Sequence, residues 1–514
     1  MVSIPCSPSR VVLVLAAVML AADARASAPS PYKDPHMLQD RSVLVHLFEW
    51  KFRDVALECE RFLGPYGFGG VQVSPVHESL VVSRPFRPWW ERYQVVSYTI
   101  AGRSEDEADF GDMVRRCNAV GVRIYVDVVL NHMTGDAPDP VRGNAGTPAD
   151  PKGRSYPGVP YNASHFRPQC SIRDYHDASE VRNCELVGLH DLDMGQEYVR
   201  GKQVEFLNAL ISHGVAGFRV DAAKHMWPED LRSIFSRLDD LKESHGFARN
   251  SKPLIFQEVI DLGGEGISWS QYSGLGRVTD FKYGAELGGA FSGSNLLKWL
   301  KTFGTSWGLV PSEDAVVFVD NHDNQRGHGG GGSTILTYKN ARLYKMAVAF
   351  MLAWPHGLPR LMSSFHFERA DDGPPHNPST GNILDVVVNE DLTCAGGWVC
   401  EHRWRQIYNM VAFRNAVEGT GVDNWWDNGS NQMAFCRGRK GFIAFNGQHG
   451  AHLKRELTTC LPPGVYCDVI SGSLEGGRCT GKTVTVSAEG GRARVDLAAD
   501  EEDGVLAIHV QSRL

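Results

Sequence analysis

Residues 217–225 read Gly-Phe-Arg-Val-Asp-Ala-Ala-Lys-His, and this stretch decides the fold. Its apolar start is typical of a short buried strand, which then ends in a cluster of charged side chains. A buried charge must be paired or take part in chemistry, because burying it alone costs free energy. The stretch therefore predicts a core strand with a functional site at its end.

The same pattern recurs at three other places along the chain. Apolar runs at 122–126, 253–257 and 315–319 lead directly into Asp127, Glu258 and the segment 320–323, which reads Asp-Asn-His-Asp. Helix-length segments separate most of these runs. Polar clusters at the ends of several such strands are typical of a barrel of parallel strands with an active site at its C-terminal face.

Eight strands are predicted between Ser42 and about Val417. They are Val43–Phe48, Gly70–Val73, Val122–Val129, Gly217–Val220, Leu254–Gln257, Val278–Phe281, Ala315–Val319 and Leu358–Met362. The intervals between them suit crossover helices, and residues 198–210 and 341–352 show helical periodicity. We therefore expect an α/β fold, a (β/α)8 TIM barrel.

Two segments depart from the alternation of strands and helices. Residues 132–191 are rich in Gly, Pro and Asp without a clear helix, which is typical of a functional loop or a small inserted domain. After about Thr420, short alternating segments predict a C-terminal antiparallel β-sandwich domain. The expected organisation is a signal peptide over 1–28, a barrel over 29–131 and 192–420, the insertion over 132–191, and the β domain over 421–514.

Composition and the N-terminus indicate the compartment and the class of partner. The chain has 514 residues and a formal net charge of -8, with mixed signs and no basic block, so we expect no nucleic-acid partner. Arg10 and the apolar run 11–22 predict a secretory signal peptide; a membrane anchor is the alternative, but the run is too short to span a bilayer comfortably. We expect a secreted, extracellular monomer without a membrane partner.

Cysteine usage agrees with export. Of eleven cysteines, Cys6 lies in the predicted signal peptide, which leaves ten for five disulfides in an oxidising compartment. Spacing favours three local pairs, and two more would complete the set, although the sequence does not fix the connectivity: Cys170–Cys184, Cys394–Cys400, Cys467–Cys479, Cys59–Cys117 and Cys436–Cys460. Sequons at Asn162 and Asn428 permit N-glycosylation.

Three strand-end carboxylates, Asp221, Glu258 and Asp323, suit glycoside hydrolysis. A retaining mechanism needs one carboxylate as the nucleophile and one carboxylic acid that protonates the leaving oxygen. Arg219 shares a face of its strand with Asp221 and is expected to keep that carboxylate ionised. Desolvation after an apolar strand is expected to raise the pKa of Glu258. Ion pairs that close the barrel are the structural alternative, since they also perturb pKa values.

Aromatic residues indicate the substrate class. Residues 88–94 read Pro-Trp-Trp-Glu-Arg-Tyr-Gln, which places three large rings in a turn-rich segment after the second strand. Sugars present C–H faces that stack on aromatic rings, while their hydroxyls take hydrogen bonds. Core filling is the commoner use of a single Trp, but a Trp pair on a loop favours a sugar subsite.

Four segments together resemble the signature regions of the α-amylase family of glycoside hydrolases. They are residues 127–132 (Asp-Val-Val-Leu-Asn-His), 217–225, 256–261 (Phe-Gln-Glu-Val-Ile-Asp) and 318–323 (Phe-Val-Asp-Asn-His-Asp). The resemblance runs in order from about Val43 to the C-terminus. It is strongest to animal-type secreted α-amylases, as residues 46–50, 321–329 and 467–472 support.

The resemblance implies a role for each site residue. Asp221 would be the nucleophile, Glu258 the acid/base and Asp323 the stabiliser of the transition state. The sugar-binding residues would be Trp89, Trp90, Tyr93, Gln94, His132, Lys224, His225, Glu265 and His322. The implied reaction is endo-hydrolysis of α-1,4-glucosidic bonds in starch and glycogen, with retention through a covalent glycosyl-enzyme intermediate.

The resemblance also implies two bound ions. One structural Ca²⁺ would be held in the insertion by oxygens only, which suits calcium: the side chains of Asn131 and Asp191 and the backbone carbonyls of Arg182 and His225. From the residues alone, Asn131 and Asp191 could equally cap turns. One activating Cl⁻ would be held by Arg219, Asn321 and Arg360, and its charge would keep the pKa of Glu258 high.

Two alternative functions remain open from the sequence. An α-glucosidase or transglycosylase could use the same scaffold, and a non-catalytic glucan-binding protein could keep the fold, although that protein would usually lack one of the three carboxylates.

Vertebrate-type relatives carry a further disulfide bridge from the segment after Tyr98 to the calcium domain. This chain has no cysteine between Cys59 and Cys117 or between Cys117 and Cys170.

Overall fold

The computed structural model describes residues 30–137 and 141–514, so the predicted signal peptide lies outside the described residues. Eight parallel strands close into a barrel, and β1 pairs with β8 to complete it. The strands are β1 (Leu44–Leu47), β2 (Gly70–Val73), β3 (Arg123–Val128), β4 (Gly217–Val220), β5 (Leu254–Gln257), β6 (Arg277–Asp280), β7 (Ala315–Val317) and β8 (Leu358–Ser363). The predicted (β/α)8 barrel is confirmed.

α-Helices follow seven of the eight barrel strands. The helices of the described chain are Phe52–Glu58, Glu107–Ala119, Ala178–Asn183, Glu197–His213, Pro228–Phe235, Phe281–Phe291, Ala341–Ala353 and Arg405–Ala416, and a π-helical turn, Cys59–Leu63, continues the first. The helices predicted at 198–210 and 341–352 are confirmed. Between β5 and β6 the expected crossover helix is absent from the structure, which has a 3-10 turn at Trp269–Gln271. Gly263 and Gly264 have positive φ there, which interrupts helix formation.

The insertion after β3 consists of short elements. His132–Gly135 pairs antiparallel with Leu189–Asp191, and Val141–Arg142 pairs with Pro148–Ala149. The expectation that the insertion has no helix is wrong for Ala178–Asn183. Asp177 caps this helix by accepting hydrogen bonds from the backbone N–H groups of Ser179 and Glu180, a start signal that the sequence contained.

Antiparallel strands form the C-terminal domain, as predicted. They are Val422–Asp427, Gln432–Arg437, Gly441–Asn446, Leu453–Thr458, Gly464–Cys467, Leu474–Glu475, Arg478–Cys479, Thr483–Val486, Arg492–Leu497 and Val505–His509. Arg492–Leu497 alternates strictly between exposed charged and buried apolar residues, whereas three consecutive charged residues interrupt the alternation of Leu453–Thr458. The structure joins the ten cysteines in the five expected pairs.

Burial explains why these segments form the barrel. Every residue of β1 to β5, β7 and β8 is buried, as parallel sheets covered by helices on the outside require. No helix in the described part of the chain is long and apolar enough to cross a membrane.

Close packing between β4 and β5 makes Gly217 irreplaceable. A Cβ at this position would lie 2.2 Å from the backbone O of Leu254. We expect Gly217→Ala to lower the free energy of unfolding by about 3 kcal/mol, because backbone atoms cannot move aside without opening the barrel. Gly289→Ala is the matched control, since a Cβ there meets nothing within 4 Å. Chemical denaturation of both variants checks this, and equal stabilities would contradict it.

Candidate active site

One guanidinium, that of Arg219, holds three carboxylates at the C-terminal end of the barrel. Its Nη1 donates to both oxygens of Asp127, at 2.7 and 2.8 Å, and to Oδ1 of Asp221 at 2.8 Å. Its Nη2 lies 2.6 Å from Oε1 of Glu258. Arg219 is only 1% exposed, so these carboxylates neutralise it. Parallel pairing places Arg219 beside Asp127 of β3 and Phe256 of β5.

The barrel backbone fixes Asp221 and Glu258. Asp221 N–H donates to the carbonyl of Val128 at 3.0 Å, and Glu258 N–H donates to that of Val220 at 2.9 Å. The N–H of Ala222 donates to Oε2 of Glu258 at 2.8 Å. Ala222 has φ of 48°, so the chain turns sharply behind Asp221. Asp221 and Glu258, the predicted nucleophile and acid, therefore lie side by side at the ends of two rigid strands.

Asp323 and His322 come from the segment after β7. His322 Nε2 lies 3.3 Å from Oδ2 of Asp323, and Asn321 Nδ2 donates to the same oxygen at 3.3 Å. Tyr93 links this segment to the Arg219 cluster. Its hydroxyl donates to Oδ2 of Asp127 at 2.9 Å and lies 2.9 Å from His322 Nε2.

The carboxylates open into a cleft with aromatic walls. Its lining comprises Trp89, Trp90, Tyr93, His132, Leu186, Leu189, Asp221, Ala222, Glu258, Ile260, Asp323 and Gly329. The aromatic residues lie on a 3-10 helix, Trp89–Tyr93. Sequence reasoning missed Leu186, Leu189 and Ile260, because apolar residues in loops carry no signal that distinguishes a cleft from a core.

Four of the nominated sugar-binding residues make contacts between loops instead of lining this cleft. The side-chain oxygen of Gln94 accepts from Gly135 N–H at 3.1 Å. The Lys224 ammonium donates to the carbonyl of Ile260 at 2.8 Å and pairs with Glu265. His225 Nδ1 lies 3.1 Å from the carbonyl of Val181, which ties the β4 loop to the insertion.

Burial dominates the electrostatics of the carboxylates. It raises the pKa of Asp221 well above its usual value; Arg219 opposes this rise, and Glu258, Asp127 and Asp323 add to it. Burial and then Glu258 raise the pKa of Asp323 to about 7. The predicted ion pair of Arg219 with Asp221 is present, but the predicted net effect on the pKa of Asp221 is wrong. One guanidinium does not outweigh burial and three neighbouring acids, so the pKa of Asp221 is raised and not lowered.

Acceptor oxygens face each other where the calcium site was expected. The side-chain oxygen of Asn131 lies 3.3 Å from Oδ1 of Asp191 and 3.1 Å from the carbonyl of His225, and no donor lies between them; with the amide turned over, it would donate to both. Oδ2 of Asp191 is buried without a hydrogen bond, although Nε of Arg167 lies 3.3 Å away, and burial raises the pKa of Asp191. A bound cation would resolve this repulsion, and the donor set fits calcium. Within the described residues, no group of three His, Cys, Asp or Glu side chains could hold a metal by itself.

The buried guanidinium of Arg360 lies where the chloride site was expected. Arg360 of β8 is 3% exposed and forms no ion pair with any described residue; its Nη1 donates to Oε1 of Gln72 at 2.9 Å. Burial and then Arg219 lower its pKa to about 10. A guanidinium that is buried beside another cation fits an anion as its partner. Gln72 was not identified from the sequence.

Comparisons with known proteins agree with this geometry. Residues 61–258 match the model of the α-amylase catalytic domain, and residues 423–511 match that of the α-amylase C-terminal all-beta domain. The chain is 58% identical over 480 residues to an α-amylase of Tribolium castaneum, covering 93% of this chain and 96% of the relative. The chain belongs to the α-amylase family.

Two further matches support the family assignment. An α-amylase-related protein of Drosophila varians is 55% identical over 489 residues, which covers 95% of this chain and 97% of the relative. A solved structure of an α-amylase I variant from Eisenia fetida, in complex with maltohexaose, matches with a TM-score of 0.87 and 46% identity; the match covers 92% of this chain and 98% of the other. This family member is therefore a glycoside hydrolase of the α-amylase type.

The raised pKa of Asp323 predicts a pH-dependent cost in stability. The folded state holds a proton that the unfolded state releases near pH 4, so this stabilising contribution is lost as the pH rises through about 7. Asp323→Asn stays neutral and should be more stable than the wild type at pH 8, by up to about 4 kcal/mol, with little difference at pH 4. Denaturation curves at both pH values check this, with Asp496→Asn on the exposed C-terminal sheet as the control. A difference that is the same at both pH values would contradict it.

Proposed function

We propose that this protein is a secreted, endo-acting α-amylase that hydrolyses internal α-1,4-glucosidic bonds of starch and glycogen with retention. The single observation that carries the proposal is the Arg219 guanidinium, which holds Asp221 and Glu258 together at the floor of an aromatic cleft. A retaining reaction requires its two carboxyl groups to be close neighbours, because one attacks the atom whose leaving oxygen the other protonates.

Each carboxylate has a distinct part in the proposed reaction. Asp221 attacks the anomeric carbon and forms the glycosyl-enzyme bond, while Glu258 gives its proton to the leaving glycosidic oxygen. Glu258 then takes a proton from water, whose oxygen attacks the same carbon and releases Asp221. Asp323 lines the same cleft, and Asp323 and the buried His322 behind it would bind sugar hydroxyls in the transition state.

Several observations favour hydrolysis by an α-amylase over the alternatives. All three carboxylates are present and clustered, which argues against a purely binding protein. The cleft is open and lined by two tryptophans, which suits a chain that passes through the site. The related structure from Eisenia fetida holds maltohexaose, a linear oligosaccharide. An α-glucan chain is therefore the proposed substrate.

Calcium is the proposed structural ion. Asn131, Asp191 and the carbonyl of His225 would hold it, with the carbonyl of Arg182 as a further ligand. Arg182 lies on the helix Ala178–Asn183, whose Val181 carbonyl contacts the His225 ring, so both segments meet at this place. Calcium would supply a cross-link between the insertion and the loop that follows Asp221.

Chloride is the proposed activating ion. Arg219, Asn321 and Arg360 would hold it, and the buried guanidinium of Arg360 is the observation that supports an anion there. Its negative charge would pair with the guanidinium of Arg360, which forms no ion pair with a described residue.

Export and a monomeric state complete the proposal. Five disulfides suit an oxidising, extracellular compartment. Asn162 and Asn428 are both exposed, so N-glycosylation at either sequon is compatible with the fold. The proposed domain limits remain a barrel with an insertion over 132–191 and a β domain from about 421.

Starch hydrolysis tests the proposal directly. We expect rapid viscosity loss and reducing-sugar release from soluble starch, and a loss of at least about 100-fold in kcat for Glu258→Gln, because the leaving oxygen is no longer protonated. Parallel assays with and without chloride should show activation in the wild type and weaker activation in Arg360→Gln. Glucose release without viscosity loss would favour an exo-acting enzyme, and no release would favour a binding protein.

Calcium removal should destabilise the insertion. We expect a chelator to lower the Tm of the wild type by several degrees, because it leaves three acceptor oxygens facing each other. Asp191→Asn should respond much less to the chelator, while Asp193→Asn, whose side chain nearby is half-buried, should respond like the wild type. Equal responses of all three proteins would indicate that the Asn131 amide donates hydrogen bonds there and that no ion is held.

A further inference from the structure

A second pocket adjoins the cleft on the side of Trp90. It lies between Phe86 and the segment 366–376 of the loop after β8. The two depressions share a boundary, because Trp90 lines the cleft and its Nε1 donates at 2.9 Å to Oδ1 of Asp371, which lines the pocket. A chain that leaves the cleft over the ring of Trp90 would therefore meet Asp371 next.

The pocket combines an exposed ring with polar groups. Phe86 is 46% exposed, and its ring centroid lies 5.5 Å from that of His376. Arg369 and Asp371 add hydrogen-bond donors and acceptors from the same segment. A flat apolar face beside such groups matches a glucose unit, which has C–H faces and a rim of hydroxyls.

Internal hydrogen bonds hold the pocket wall in shape. Asp372 accepts from the backbone N–H groups of Glu368 and Arg369, at 3.0 and 2.8 Å, and pairs with Nε of Arg369 at 3.1 Å. His376 Nδ1 lies 2.7 Å from the carbonyl of Pro374. A wall that is ordered before binding loses little conformational entropy when a ligand arrives.

Buried ion pairs fix this wall to the aromatic helix Trp89–Tyr93. Glu91 is fully buried and lies 2.7 Å from Nη2 of Arg87 and 3.3 Å from Nη1 of Arg103. The Nη2 of Arg103 donates at 2.9 Å to the carbonyl of Gly381 in the loop after β8. Trp89 Nε1 donates to the carbonyl of Ala370 at 2.8 Å, so the rings and the pocket form one rigid surface.

We propose that this pocket is a distal binding site for the α-glucan chain whose other part occupies the catalytic cleft. A glucose unit beyond Trp90 stacks on Phe86, and its hydroxyls bind Asp371 and Arg369. The proposal rests on the proposed glucan substrate. The continuity with the cleft through Trp90 and Asp371 favours this occupant over a protein partner.

Chain-length dependence tests the distal site. In Phe86→Ala, the ratio of kcat/KM for amylose to that for the shortest cleaved maltooligosaccharide should fall about fivefold, mostly through KM, because only long chains reach the pocket. Phe86→Tyr keeps the ring and should retain the ratio. Val465→Ala, an exposed apolar residue of the C-terminal domain, is the control. An unchanged ratio in Phe86→Ala would overturn the proposal.

Direct binding measurements test the distal site separately from the proposed starch hydrolysis. Calorimetry of Glu258→Gln with maltooligosaccharides of increasing length should show a gain in affinity for the longer chains, and adding Phe86→Ala should abolish that gain. The same affinity gain in both proteins would overturn the distal site while leaving starch hydrolysis untouched. If the wild type hydrolyses no starch, the proposed function is wrong. The affinities for maltooligosaccharides of increasing length still test the distal site in that case.

Discussion

The buried guanidinium of Arg219 is the constraint on which the rest of the site depends. A charge that is 1% exposed is costly unless opposite charges lie beside it, and here those come from the ends of three adjacent strands. The register of β3, β4 and β5 places Asp127 beside Arg219, and Asp221 and Glu258 follow two residues further along their strands. The same ion pairs that neutralise Arg219 align two carboxylates for chemistry, so the stability of the barrel end and the geometry of catalysis share one cause.

This arrangement leaves more acid than base in the barrel mouth. Asp323 adds a fourth carboxyl beside the buried guanidinium of Arg326, and the buried guanidinium of Arg360 forms no ion pair with a described residue. Burial raises the pKa of Asp221 and of Asp323 there. Crowding acids in this way has a cost in stability that typically falls on functional sites.

Much of this could be predicted from the sequence, for physical reasons. The ends of the barrel strands could be predicted because apolar runs stop at charged residues. Short spacings between cysteines favoured three of the five disulfide pairs. Other features gave no such signal. Leu186 and Leu189 resemble any loop apolar residue, and the partnership of Gln72 with Arg360 joins positions 288 residues apart. The sign of the pKa shift at Asp221 depends on counting buried neighbours, which a sequence does not show.

The expected ion site and the catalytic carboxylates lie at the two ends of one chain of contacts. Asn131 faces Asp191. Nε2 of the next residue, His132, lies 2.9 Å from the carbonyl oxygen of Tyr93. The hydroxyl of Tyr93 bonds Asp127, which bonds Arg219. Each link is buried and packed, so a shift of the insertion would move the Tyr93 ring and loosen the Arg219 cluster. A cation at Asn131 would thus affect catalysis by holding the insertion still, without touching the substrate.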